Sequence, residues 1–243
     1  MTENDELQIF RGQDYIINDR IKIHQPTVDE ICEFGEEKYY SFVSRLVAIP
    51  FDYIAQLDDI GKKYDDYSDF DFFRIFLSRG IKKEDSCLLF GNLDFTKLID
   101  GVNNANQQLV LYNKETDTVI DKYIYEIIVN HVRKMHNFKR HNVICGNLPM
   151  RKYLISEARA RLNKQEEFKS ILTPLISAMI NSAGFKYGCN EVWDLKIYAF
   201  MDSVNRIQLI KNYEQTMQGV YSGCIDYNNI KNKSQLNWLG KLE

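Results

Sequence analysis

Acidic and basic side chains are divided between the two halves of this chain. Residues 1–121 carry 24 acidic and 13 basic groups, whereas residues 122–243 carry 10 and 18. The net charge of −3 conceals that polarity. Such a layout favours a fold in which the halves pack on each other, or a partner surface of matching polarity. With 44% hydrophobic residues and only 4 Pro and 12 Gly in 243 positions, the chain can bury a core of useful size. One compact domain over 1–243 is expected, with 101–108 as the place where it could divide. No stretch approaches the ~18 apolar residues needed to span a bilayer. The acidic start, Met1 to Glu6, does not resemble a secretory signal. An intracellular chain without membrane partners is the expectation.

Local patterns predict a mainly α (α+β) fold with two small β-hairpins, near 15–23 and 109–120. In the first, Tyr15 to Ile17 and Arg20 to Ile23 flank Asn18-Asp19, a pair suited to a tight turn. Ile21 and Ile23 alternate with Arg20 and Lys22 as in a half-buried strand. Thr27 and Glu30 fit a capping box, opening a helix that buries Ile31, Phe42, Leu46 and Ile49, bends at Gly35 and stops at Pro50. Two short helices follow. One carries Tyr53, Ile54 and Leu57; the other is capped by Ser68 and holds Phe70, Phe72, Phe73, Ile75, Phe76 and Leu77, an aromatic density that suggests burial on more than one side.

Residues 101–108 show no periodicity and read as an exposed loop, after which Leu109 to Tyr112 and Thr118 to Ile120 pair as the second hairpin. From Asp121 onward the pattern is helical. Ile124, Ile127, Ile128, Met135 and Phe138 form one stripe; a basic helix spans about Met150 to Lys164; another runs from Phe168 to Ile180 with Pro174 in its first turn. Asn190 is the expected cap of a long helix presenting Trp193, Ile197, Phe200, Val204 and Ile207. The last residues, with Leu236, Trp238 and Leu239, read as a docked tail.

No constellation points to chemistry, so no catalytic, cofactor-binding or metal-ligating residue is assigned. His131, His136 and His141 are five apart, which turns successive rings ~140° around a helix and off any common face. The acidic cluster Asp58, Asp59, Asp65, Asp66, Asp69 and Asp71 lacks the glycine turn or basic phosphate binder of a Mg²⁺ site. Arg133 to Lys169 holds ten basic and three acidic residues. They surround an amphipathic helix without stacking aromatics, which favours docking on the acidic half over nucleic-acid binding. Cys32, Cys87, Cys145, Cys189 and Cys224 are widely spaced and are expected to be reduced, partly buried thiols. Glycines offer no phosphate loop.

The run from Tyr15 to Ile31 with Glu36 to Tyr40 resembles the opening of tailed-phage proteins of Firmicutes. So do Leu175 to Ser182, Glu191 to Lys196 and Phe200 to Val204. Scarce alanine and abundant Ile, Asn, Lys and Tyr reflect AT-rich codons, in keeping with a low-GC bacterium or its phage. The resemblance covers most of the chain and is to tail assembly chaperones. It implies a phage tail morphogenesis protein without catalysis or cofactors, able to form a homo-oligomer. Its partners would be the tape-measure and tail-tube proteins, and its place the host bacterial cytoplasm or the virion. Two other readings carry different expectations: a structural connector or baseplate component of the mature particle, and a phage-encoded inhibitor of a host defence system.

Overall fold

The computed structural model describes residues 3–103, 107–141, 145–164, 167–240 and 242. After α1 (Glu3–Phe10), strands β1 (Tyr15–Ile16) and β2 (Lys22–Ile23) pair antiparallel, with Tyr15 opposite Ile23. Asn18 makes their turn: its Oδ1 accepts from the Arg20 and Ile21 N–H groups at 2.9 and 2.8 Å. Ile21 and Ile23 are buried while Lys22 faces solvent. The capping box forms as expected. Thr27 Oγ1 accepts from Glu30 N–H at 3.0 Å, and Glu30 Oε2 accepts from Thr27 N–H at 2.7 Å. Gly35, at φ +98°, does more than bend the following helix. It separates α2 (Val28–Phe34) from α3 (Glu36–Val47), a backbone conformation that side-chain-bearing residues rarely adopt.

A 3-10 turn at Pro50–Tyr53 leads into α4 (Ile54–Asp59). Ser68 caps α5 (Asp69–Phe72), which continues as a π turn over Phe73–Leu77. The wider turn changes which side chains share a face. Phe70, Phe72, Phe73 and Leu77 are buried, but Ile75 and Phe76 reach solvent, so the aromatic segment buries one broad side rather than several. After α6 (Lys83–Phe90), β3 (Ile99–Val102), β4 (Leu109–Asn113) and β5 (Thr118–Ile120) form an antiparallel sheet in that order. The second hairpin therefore has a third strand: Gly101 and Val102, expected in a loop, pair with Val110 and Leu109. Residues 104–106 of that loop lie outside the described residues.

Asp121 caps α7 (Lys122–Met135), whose Tyr125 ring packs between Phe70 and Phe73 at centroid distances of 5.6 and 4.8 Å. The buried stripe of α7 is Tyr125, Ile128, Val129, Val132 and Met135, while Ile124, Ile127 and Phe138 are half-buried. Helices α8 (Leu148–Leu162), α9 (Leu172–Ile180) and α10 (Ile197–Tyr221) complete the chain. Pro174 is in the first turn of α9, but Phe168 to Ile171 precede the helix.

Asn190 does not cap α10. Trp193 sits in a 3-10 turn (Val192–Asp194), and α10 starts at Ile197. The backbone of 195–197 is engaged elsewhere: Val28 N–H donates to Leu195 C=O and Ile197 N–H to Pro26 C=O, both at 2.9 Å. These bonds stitch the C-terminal third to the start of α2. Ile197 and Phe200 are fully buried; Trp193, Val204 and Ile207 are half-buried. At the chain end, Arg206 donates to the Trp238 and Gly240 carbonyls, so the tail docks, with Leu239 exposed. One connected set of buried side chains extends from Ile9 to Phe200.

Candidate functional site

The acidic cluster and the basic segment meet along the contact of α4 with α8. Arg159 Nη2 donates to Asp58 Oδ2 at 2.8 Å and Asp59 Oδ1 at 2.5 Å. Eight residues earlier, on the same side of α8, Arg151 pairs with Asp65 and lies over the Tyr64 ring at 5.2 Å. Asp69 receives Arg140 Nε and Nη2 at 2.9 and 3.1 Å, a bidentate pair, and Asp71 faces Arg74. Asp58, Asp59, Asp65, Asp69 and Asp71 thus face guanidinium groups, and Arg140, Arg151 and Arg159 are engaged rather than free to track phosphates. Among the described residues no group of His, Cys, Asp and Glu could hold a metal ion. Exposed pairs of this kind contribute little energy each. Their value is registry: α8 buries only Ile155 fully, so charge fixes where the helix lies.

His131 and His136 serve the core, whereas His24 is half-buried and His141 is exposed. His131 stacks on Tyr15 at 4.4 Å. His136 is buried against Tyr39, Tyr40 and Phe138, with its Nε2 3.0 Å from Tyr39 Oη. Burial lowers its pKa to about 3, so the ring is neutral. His24 bridges Asp14 and Glu30, linking the first hairpin to the capping box. Burial raises the pKa of Asp14, but hydrogen bonds from Lys22, Gln25 N–H and His24 outweigh it and hold the carboxyl below its usual range. The cysteines depart from expectation: Cys32, Cys87, Cys189 and Cys224 are exposed and Cys145 is half-buried, all as free thiols. Short helices and turns present these positions outward, where the small side chain adds little to any core contact.

Arg133 is the residue that charge counting alone could not single out. It stands in the basic run like its neighbours, yet it is 9% exposed and its Nη2 donates to Val47 C=O at 2.6 Å. Nearby, Tyr125 Oη donates to Leu46 C=O at 3.5 Å. Together they satisfy carbonyls at the end of α3, where a cation suits the helix dipole.

The C-terminal third is built differently from the rest. α10 is 25 residues long, yet only Ile197 and Phe200 are fully buried. Around it Tyr187, Tyr221, Ile225, Tyr227 and Leu239 are exposed. Residues 163–243 match the family model described as the YomV second domain. The family so described is phage-derived, and the likeness is confined to this segment. The match covers one third of the chain and begins directly after α8. It takes in α9, the 3-10 turn, α10 and the docked tail. No curated protein and no solved structure matches the chain. Within the YomV-like third, Gly184 faces Ile207 of α10 at 3.6 Å from where a Cβ would stand, so the loop lies close on the helix. Among the described residues, no helix is long and apolar enough to cross a membrane.

Proposed function

We propose that this protein is a phage tail morphogenesis protein, an assembly chaperone that binds the tape-measure and tail-tube proteins and catalyses no reaction. The observation that carries the reading is the match of 163–243 to a phage-derived domain family. The shape of that segment supports it. α10 is anchored at its N-terminal end by Ile197 and Phe200. Beyond Phe200 it extends ~32 Å at 1.5 Å per residue with its side chains partly exposed, a surface suited to covering an amphipathic helix of another protein. The engagement of Arg140, Arg151 and Arg159 by aspartates favours protein partners over nucleic acid. On this reading it works in the host bacterial cytoplasm.

Mass spectrometry of purified particles tests the proposal. A chaperone is absent from the virion or far below the copy number of tail proteins. A fixed stoichiometric presence would instead mark a structural component of the particle.

A further inference from the structure

A cavity of about 390 Å³ opens between the start of α5 and one face of α7. Its size is at the small end of ligand sites. Phe70, Tyr125 and Val129 line it with apolar surface, and each of these side chains is itself at least 96% buried. The polar lining carries three cations, Lys122, Arg133 and Arg140, and two carboxylates, Asp69 and Glu126. Four of these five are matched. Both Asp69 oxygens accept from Arg140, and Glu126 faces Lys122 at 4.0 Å.

Arg133 is the remaining charge. Among the described residues no carboxylate lies within ion-pair distance of it, and its one protein acceptor is Val47 C=O. Its other N–H groups meet no acceptor and are not sealed in the core. Burial lowers its pKa, and Asp69 and Asp52, which stand beyond ion-pair distance, offset that only in part. Asn130 stands three residues before it on the same face of α7, lines the same cavity, and its amide also lacks a protein partner.

We propose that this cavity binds a small organic monocarboxylate, with Arg133 and Asn130 holding the carboxylate and Phe70, Tyr125 and Val129 packing its apolar body. A guanidinium matches a planar carboxylate in a charge-assisted pair. The neighbouring Asp69 and Glu126 disfavour a dianion, which selects against phosphate. The site stands independently of the tail-assembly reading, and the loss of either leaves the other intact.

Benzoate, benzamide and inorganic phosphate serve as probes, titrated against the full chain and followed by amide chemical shifts. Benzoate should bind saturably and shift residues of 67–70 and 122–133, while the neutral isostere benzamide and phosphate bind at least about tenfold more weakly. Arg133→Gln should lower benzoate affinity by about tenfold or more. Because Arg133 also caps α3, a second variant separates binding from folding. Asn130→Trp, at an exposed position of α7, should plug the cavity and abolish binding with the circular dichroism spectrum unchanged. Absence of saturable benzoate binding, equal binding of benzamide, or undiminished binding in a folded Asn130→Trp protein overturns the proposal.

Discussion

His136 sets the pH response of the core. Its folded pKa is about 3, against an ordinary value of 6.5, so the unfolded chain binds the proton more readily. The stability tied to this ring is therefore complete above pH 6.5 and declines as pH falls toward 3. The slope approaches about 1.4 kcal/mol per pH unit once the unfolded ring is charged. Asp14 and Glu30, both held below their usual ranges, lose stability only at more acid pH. Urea midpoints between pH 7 and 5 should fall for the native chain, with a smaller decline in His136→Gln. A parallel decline in both proteins would contradict the assignment. Phe200 tests the packing of the C-terminal third at the same scale. It is 0% exposed, and Phe200→Ala should cost about 3–5 kcal/mol in denaturant unfolding. Helical spacing revealed Phe200 and Ile197 but overestimated Trp193 and Val204, because periodicity gives a face and not the depth to which that face is covered.

At the scale of elements, the most legible signals were those closed within a few residues. Asn18 with its turn, and Thr27 with Glu30, need no distant partner. The start of α10 could not be read that way. Asn190 is a sound local cap, but the bonds from Val28 to Leu195 and from Ile197 to Pro26 cross more than 160 positions and move the helix start. β3 escaped for another reason: Ile99-Asp100-Gly101-Val102 has no apolar alternation, and the strand exists because β4 offers it a ladder. Docking of α8 yields a prediction on this scale. Arg159 reaches across to Asp58 and Asp59, whereas Arg161 pairs with Glu157 of its own helix. Arg159→Glu should speed amide exchange in α8 and lower the melting temperature, and the loss should be smaller at high salt, where the repulsion is screened. Arg161→Glu should leave both nearly unchanged. Equal effects of the two reversals would mean that the cross-helix pairs do not position α8.

For the whole molecule, the charge polarity of the halves resolves into contact: basic α8 and the segment after α7 lie on the aspartates of 58–71. That much was readable from residue counts, since separated charges in one chain attract. No sequence signature marked the Arg133 cavity, because it depends on which cation is left without a carboxylate after packing. The YomV-like third, with its long and partly exposed α10, carries the partner surface proposed above. If this surface binds tail proteins as proposed, co-expression with a phage tape-measure protein reads that binding out. The tape-measure chain should become soluble and co-purify with this protein, and Tyr221→Asp, at the exposed end of α10, should weaken the effect with the fold intact. A tape-measure protein that stays insoluble, or that is equally soluble alone, would contradict the proposal.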